Sequence, residues 1–113
     1  MNFEVRLSEQ AENDLRAIFS YIAFELRSLD NASGQLDRLE EKIYKLDQFP
    51  MRYQNYQVEP WFSRGTRFFS VDHYTIFYIP DEKKQTVEIL RVLYAGSDMD
   101  RAMAETAEEY ARK

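Results

Sequence analysis

RGTRFFSVDHYTIFYIPDEKKQTVEILRVLYAGSD, residues 64–98, decides the fold of this 113-residue chain. Residues 68–71, 74–79 and 87–94 are rich in β-branched and aromatic side chains and read as three successive strands. Asp72 and His73 form a two-residue connection, the length of a tight hairpin. Residues 80–85 make a longer polar loop that opens on Pro80, where a strand is expected to stop. If Val71 pairs with Tyr74, then Arg67, Phe69, Val71, Tyr74, Ile76 and Tyr78 share one face. Thr66, Phe68, Ser70, Thr75, Phe77 and Ile79 share the other. On the last strand, strict alternation adds Glu88, Leu90, Val92 and Tyr94 to the second face and puts Arg91 on the first.

Composition narrows the classes of function. The length is that of a single domain, taken as residues 1–113. No cysteine is present, so disulfides and thiolate metal sites are excluded, and one histidine makes no histidine-based site. The residues present name no cofactor and no metal. No apolar run approaches the roughly 20 residues that span a bilayer, and the first ten residues carry no basic-then-apolar leader, so a cytoplasmic chain with no membrane partner is expected. A net charge of −5 is unlike that of a general polyanion binder. The charge is uneven: residues 1–50 hold ten acidic and six basic side chains, whereas residues 51–96 hold five and six.

Upstream of the meander, residues 2–7 alternate Phe3, Val5 and Leu7 against Glu4 and Arg6, which predicts a short strand. Ser8 follows as an N-cap, with Glu9 and Glu12 in a first turn where the helix dipole favours negative charge. Ala11, Leu15, Ile18, Ile22 and Leu26 then make one apolar stripe to about residue 27. A second helix, capped by Asp30 or Asn31, repeats Ala32, Leu36, Leu39, Ile43 and Leu46 before Pro50 ends it. The two make an antiparallel αα-hairpin. Residues 51–63 lack a period, but Tyr53, Tyr56, Trp61 and Phe62 predict an ordered crossing whose rings fill the edges of the core. Ser97 or Asp98 caps a last, weakly apolar helix over residues 97–113, expected to fray at its outer turns or dock on a partner. The order β-α-α-β-β-β-α is that of an α+β fold, an antiparallel sheet packed on an αα-hairpin.

Four segments in this order, VRLSEQAENDLRAIFSYIAFEL (5–26), LDQFP (46–50), SRGTRFFSVDHYTIFY (63–78) and VEILRVLYAGSD (87–98), resemble the RelE/ParE family of bacterial toxins. The resemblance runs from about residue 3 to residue 100 and rests on the ordered set. It implies the toxin half of a type II toxin–antitoxin pair, which arrests growth and is neutralised by a cognate antitoxin. RelE-like members cleave mRNA on the ribosome without a metal; ParE-like members poison DNA gyrase and catalyse nothing.

Metal-free RNA cleavage needs a base, an acid and cations around the phosphorane. Where RelE-like members carry an arginine in the middle strand this chain has Thr75, and where many end the last strand in histidine it has Tyr94. Ala95-Gly96-Ser97-Asp98 stands where arginines often follow. What remains as catalytic candidates are Tyr94, Arg67 and Arg64. Tyr94 is an acid or base, or an aromatic closing the sheet edge; the arginines hold phosphate, or pair with acidic helix residues. His73 reads as a surface turn residue, and Arg91 as half of an ion pair with a helix acid. The second face is expected to be open, neutral and apolar, which favours binding a large protein target over stabilising a phosphorane. A chain with this pattern that has lost toxicity and only binds its antitoxin is the remaining alternative.

Overall fold

The computed structural model describes residues 2–112. Strand β1 (Glu4–Leu7) leads into helix α1 (Glu9–Ser20), and α2 spans Leu29–Tyr44. Strands β2 (Arg67–Val71), β3 (Tyr74–Asp81) and β4 (Thr86–Tyr94) follow, then α3 (Met99–Ala111). Position 113 of the expected last helix lies outside the described residues. The sheet order is β1-β4-β3-β2. The meander is antiparallel, and β1 lies parallel to β4, so the sheet as a whole is mixed.

Val71 pairs with Tyr74, Phe69 with Ile76 and Arg67 with Tyr78, the register that alternation predicts. Asp72 supplies the turn with a left-handed φ of 55°. The strand does not stop at Pro80: β3 runs through it to Asp81, with Pro80 opposite Val87. A proline is tolerated there because β2 ends opposite Tyr78 and leaves β3 a free side.

Phe69, Val71, Ile76, Tyr78, Val87, Ile89 and Val92 pack against Ala11, Leu15, Leu39, Ile43 and Leu46, so the helical hairpin covers the first face. The hairpin is capped as its chemistry requires. Ser8 Oγ accepts the Ala11 amide at 3.0 Å. The second cap is Ser28, two or three residues earlier than Asp30 or Asn31; its Oγ accepts the Asn31 amide at 3.3 Å. Helix α1 does not continue regularly to residue 27. A π turn over Tyr21–Glu25 inserts an extra residue, and Arg27 reverses the chain at φ 53°. The insertion rotates the stripe, leaving Leu26 57% exposed beside Tyr21, Phe24 and Leu29.

The second face is not open. Helix α3 and the crossing segment close over it, burying Phe77, Leu90 and Leu93 with Tyr56, Trp61, Met103 and Ala107. Thr66 and Thr75 are buried there as well. Trp61 Nε1 donates to the Met103 carbonyl at 2.8 Å, and the Tyr56 hydroxyl donates to Asp100 at 2.6 Å. Helix α3 is thus part of the core. Tyr53 stacks on Phe69, and of the four crossing rings Phe62 alone stays half exposed.

Strict alternation fails on β4. A bulge sets Phe77 opposite Arg91 and Tyr78 opposite Ile89, leaving Leu90 as the extra residue. Val92 therefore packs under the hairpin, while Leu90 and Arg91 lie on the α3 side. Arg91 still finds a helix acid. Its Nε and Nη2 donate to Asp14 at 2.8 and 2.9 Å, and its Nη1 to Thr106 Oγ1 at 3.0 Å. Asp14 also accepts the Val92 amide at 2.9 Å, so the Asp14–Arg91 pair joins α1, β4 and, through Thr106, α3 where β1 no longer covers the β4 edge.

Candidate functional site

The two ends of the sheet differ in what they leave available. At the Arg67 end, the guanidinium is spent on the backbone: Arg67 Nη1 donates to the carbonyls of Met51, at 3.0 Å, and Tyr53. The Tyr78 hydroxyl donates to the Pro50 carbonyl at 2.6 Å, and burial pushes that phenol above its ordinary pKa. Arg64 lies over the Trp61 ring, 5.3 Å from its centroid. The Arg67 and Tyr78 bonds tie the start of the crossing segment to β2 and β3.

Tyr94 stands at the opposite end. Four strand positions separate its partner Tyr74 from Arg67's partner Tyr78, about 13 Å along the sheet, and β2 and β4 lie about 10 Å apart across it. The structure therefore does not gather Tyr94 and Arg67 around one atom, whereas groups that act together on one reacting phosphate must reach it at about 3 Å.

What gathers around Tyr94 is a groove of about 770 Å³ between the tip of the helical hairpin and the hairpin turn of the sheet. Its wall from α1 and the π turn is Ala17, Ile18, Tyr21, Ile22 and Leu26; its wall from α2 is Asn31, Gln35 and Arg38; its floor is His73, Tyr74 and Tyr94. The lining carries no carboxylate, in a chain with 20 acidic residues. The Tyr94 ring meets Tyr74 edge-on, with centroids 5.9 Å apart. Burial raises the Tyr74 pKa, and the Tyr94 and Tyr21 phenols nearby add to the rise, so Tyr74 presents a neutral hydroxyl at physiological pH.

The groove is held rigid on its polar side. Asp72 Oδ2 accepts from Arg38 Nε and from Gln35 Nε2, each at 2.9 Å, which ties α2 to the turn between β2 and β3. The Arg38 bond, and then the Gln35 bond, hold the Asp72 carboxyl below its ordinary value. His73 is exposed in the turn, as expected, and its carbonyl accepts the Ala95 amide at 2.8 Å. Asn31, Gln35 and Arg38 escaped the sequence reading. A signal existed: they form a polar stripe at spacings of four and three beside Ala32, Leu36 and Leu39. Tyr21 had none, because nothing local announces the π turn.

Among the described residues no group of three or more His, Asp or Glu side chains is placed to hold a metal ion. No described helix is long and apolar enough to cross a membrane.

The family model of the ParE toxin of type II toxin–antitoxin systems matches residues 5–99, and the chain belongs to that family. No curated protein matches it in sequence. Solved structures share the fold. A chain of the RelBE2 toxin–antitoxin complex from Mycobacterium tuberculosis is 24% identical over 83% of this chain and 99% of its own, with a TM-score of 0.62. A chain of the chromosomal ParDE system from P. aeruginosa is 18% identical over 81% and 95%, with a TM-score of 0.66. A mutant of the E. coli toxin RelE in the free state is 15% identical over 96% and 98%, with a TM-score of 0.64.

Proposed function

We propose that this chain arrests growth by binding a large protein target, DNA gyrase being the first to test, and that a cognate antitoxin neutralises it. Similar folds have been solved as toxin–antitoxin complexes. The observation that carries the reading is the separation of Tyr94 from Arg67, together with the engagement of Arg67 on backbone carbonyls and of Arg64 on the Trp61 ring. The guanidinium that does line the groove, Arg38, is bound to Asp72. A largely apolar, aromatic groove whose one guanidinium is already paired, lined in part by the exposed Tyr21 and Leu26, suits a protein surface better than a phosphorane. The expected open face of the sheet no longer serves as that surface, because α3 covers it.

The test is expression of the chain alone from a tight promoter, with growth, transcript ends and plasmid supercoiling followed together. Arrest with intact transcripts and altered supercoiling is the expected outcome. New 5′ ends inside translated regions would favour the second reading, a metal-free mRNA endonuclease. What favours that reading is the exposure of the Tyr94 phenol in a groove. It assigns Tyr94 as acid or base and Arg64 and Arg67 as phosphate ligands. It requires Tyr94→Phe and Arg67→Ala each to abolish cleavage in a folded protein. No arrest at all would leave a chain that binds only its antitoxin.

A further inference from the structure

Gly96 is not a glycine because of its backbone. Among the described glycines Gly65 is the one with a left-handed φ, at 80°. At Gly96 the reason is a side chain: a Cβ there would lie 2.5 Å from Cε2 of Tyr94 and 3.2 Å from its Cδ2 and Cζ. The Tyr94 ring is folded across the Cα of Gly96, and its other neighbour is the edge of Tyr74. The backbone beneath it has little room to yield. The Ala95 amide donates to the His73 carbonyl at 2.8 Å, the Ser97 amide to the Tyr94 carbonyl at 3.0 Å, and the Asp98 side chain caps α3. A methyl group at position 96 must therefore move the ring rather than the chain.

We propose that Gly96 is a positioning residue. By lacking a Cβ it lets the Tyr94 ring lie over the 95–97 turn and against Tyr74, and so sets the floor of the groove on which an apolar side chain of the protein target seats. The inference rests on the binding reading above and names the residue that shapes that site. A ring over half exposed yet confined from two sides loses little freedom when a partner docks, as a contact anchor requires.

The experiment uses Gly96→Ala, Tyr94→Ala and the double variant in the full chain. The dose of inducer that halves growth is measured for each, with the Tyr94 ring followed by proton NMR. Expected is a displaced Tyr94 ring with unchanged core resonances, and potency falling roughly tenfold in Gly96→Ala. Expected also is a double variant no weaker than Tyr94→Ala alone. That non-additivity is the readout a merely structural glycine would not produce. Wild-type potency in Gly96→Ala overturns the proposal, whether or not the ring moves. So does a further loss when Gly96→Ala is added to Tyr94→Ala. If Tyr94→Ala itself arrests growth like the wild type, the binding reading fails, and the functional role of Gly96 fails with it. If Tyr94→Ala is weak and Gly96→Ala is not, only the present inference falls.

Discussion

The Arg67 end and the Tyr94 end of one sheet carry residues of similar chemistry and use them in opposite ways. Both present tyrosines and arginines. At the first end Arg67, Tyr78 and Arg64 are satisfied by carbonyls and an indole ring. At the second, Arg38 braces Asp72, and Tyr21, Tyr94 and His73 stay exposed around a groove. The lesson is that an arginine near the end of a strand says little about phosphate until its hydrogen bonds are counted.

Variants separate the closed regions from the open one, and their expected cost in stability falls steadily. Trp61→Ala removes a fully buried ring and its hydrogen bond to α3, and should cost about 4 kcal/mol in urea unfolding. A cost below about 1 kcal/mol would mean that α3 does not seal the second face. Asp14→Ala strands Arg91 and the Val92 amide at a seam where the two side chains are only 20% and 14% exposed, and should cost about 3 kcal/mol. Replacing the pair together, as Asp14→Leu with Arg91→Met, should recover much of that loss. Arg67→Ala should cost about 1–2 kcal/mol by freeing two carbonyls, while growth arrest persists. Loss of arrest at unchanged stability would break the contrast and return Arg67 to the site. Tyr94→Ala should change stability by no more than about 0.5 kcal/mol yet weaken arrest most.

The smallest effect concerns pH. Asp72 has a lowered pKa in the folded chain, so its contribution is present above the ordinary carboxylate value and is lost as pH falls through the lowered one. Asp72→Asn should therefore lower stability slightly at neutral pH, converge on the wild type as pH falls below about 4, and so flatten the acid limb of the stability profile. An identical acid limb would show that the α2 clamp on the hairpin turn is not formed in solution.

Much of this was legible in the chain itself. Alternation in residues 67–79 determined the register of β2 on β3 and the membership of both faces, because a one-residue slip would have buried Ser70 and exposed Phe69. Periodicity determined α1, α2 and α3, with the caps of α1 and α3 legible and that of α2 misplaced, and the ordered segments determined the family. Local pattern extends only a few residues, so it could not determine what depends on distant partners. The bulge at Leu90 moved Val92, Arg91 and Tyr94 to the opposite sides from those alternation assigns. The parallel seat of β1, the closure of α3 over Phe77 and the groove at Tyr94 all join segments tens of residues apart. Their geometry was decided only when both layers closed on the sheet, since burial and hydrogen bonding reward such contacts only after the chain between them has been ordered.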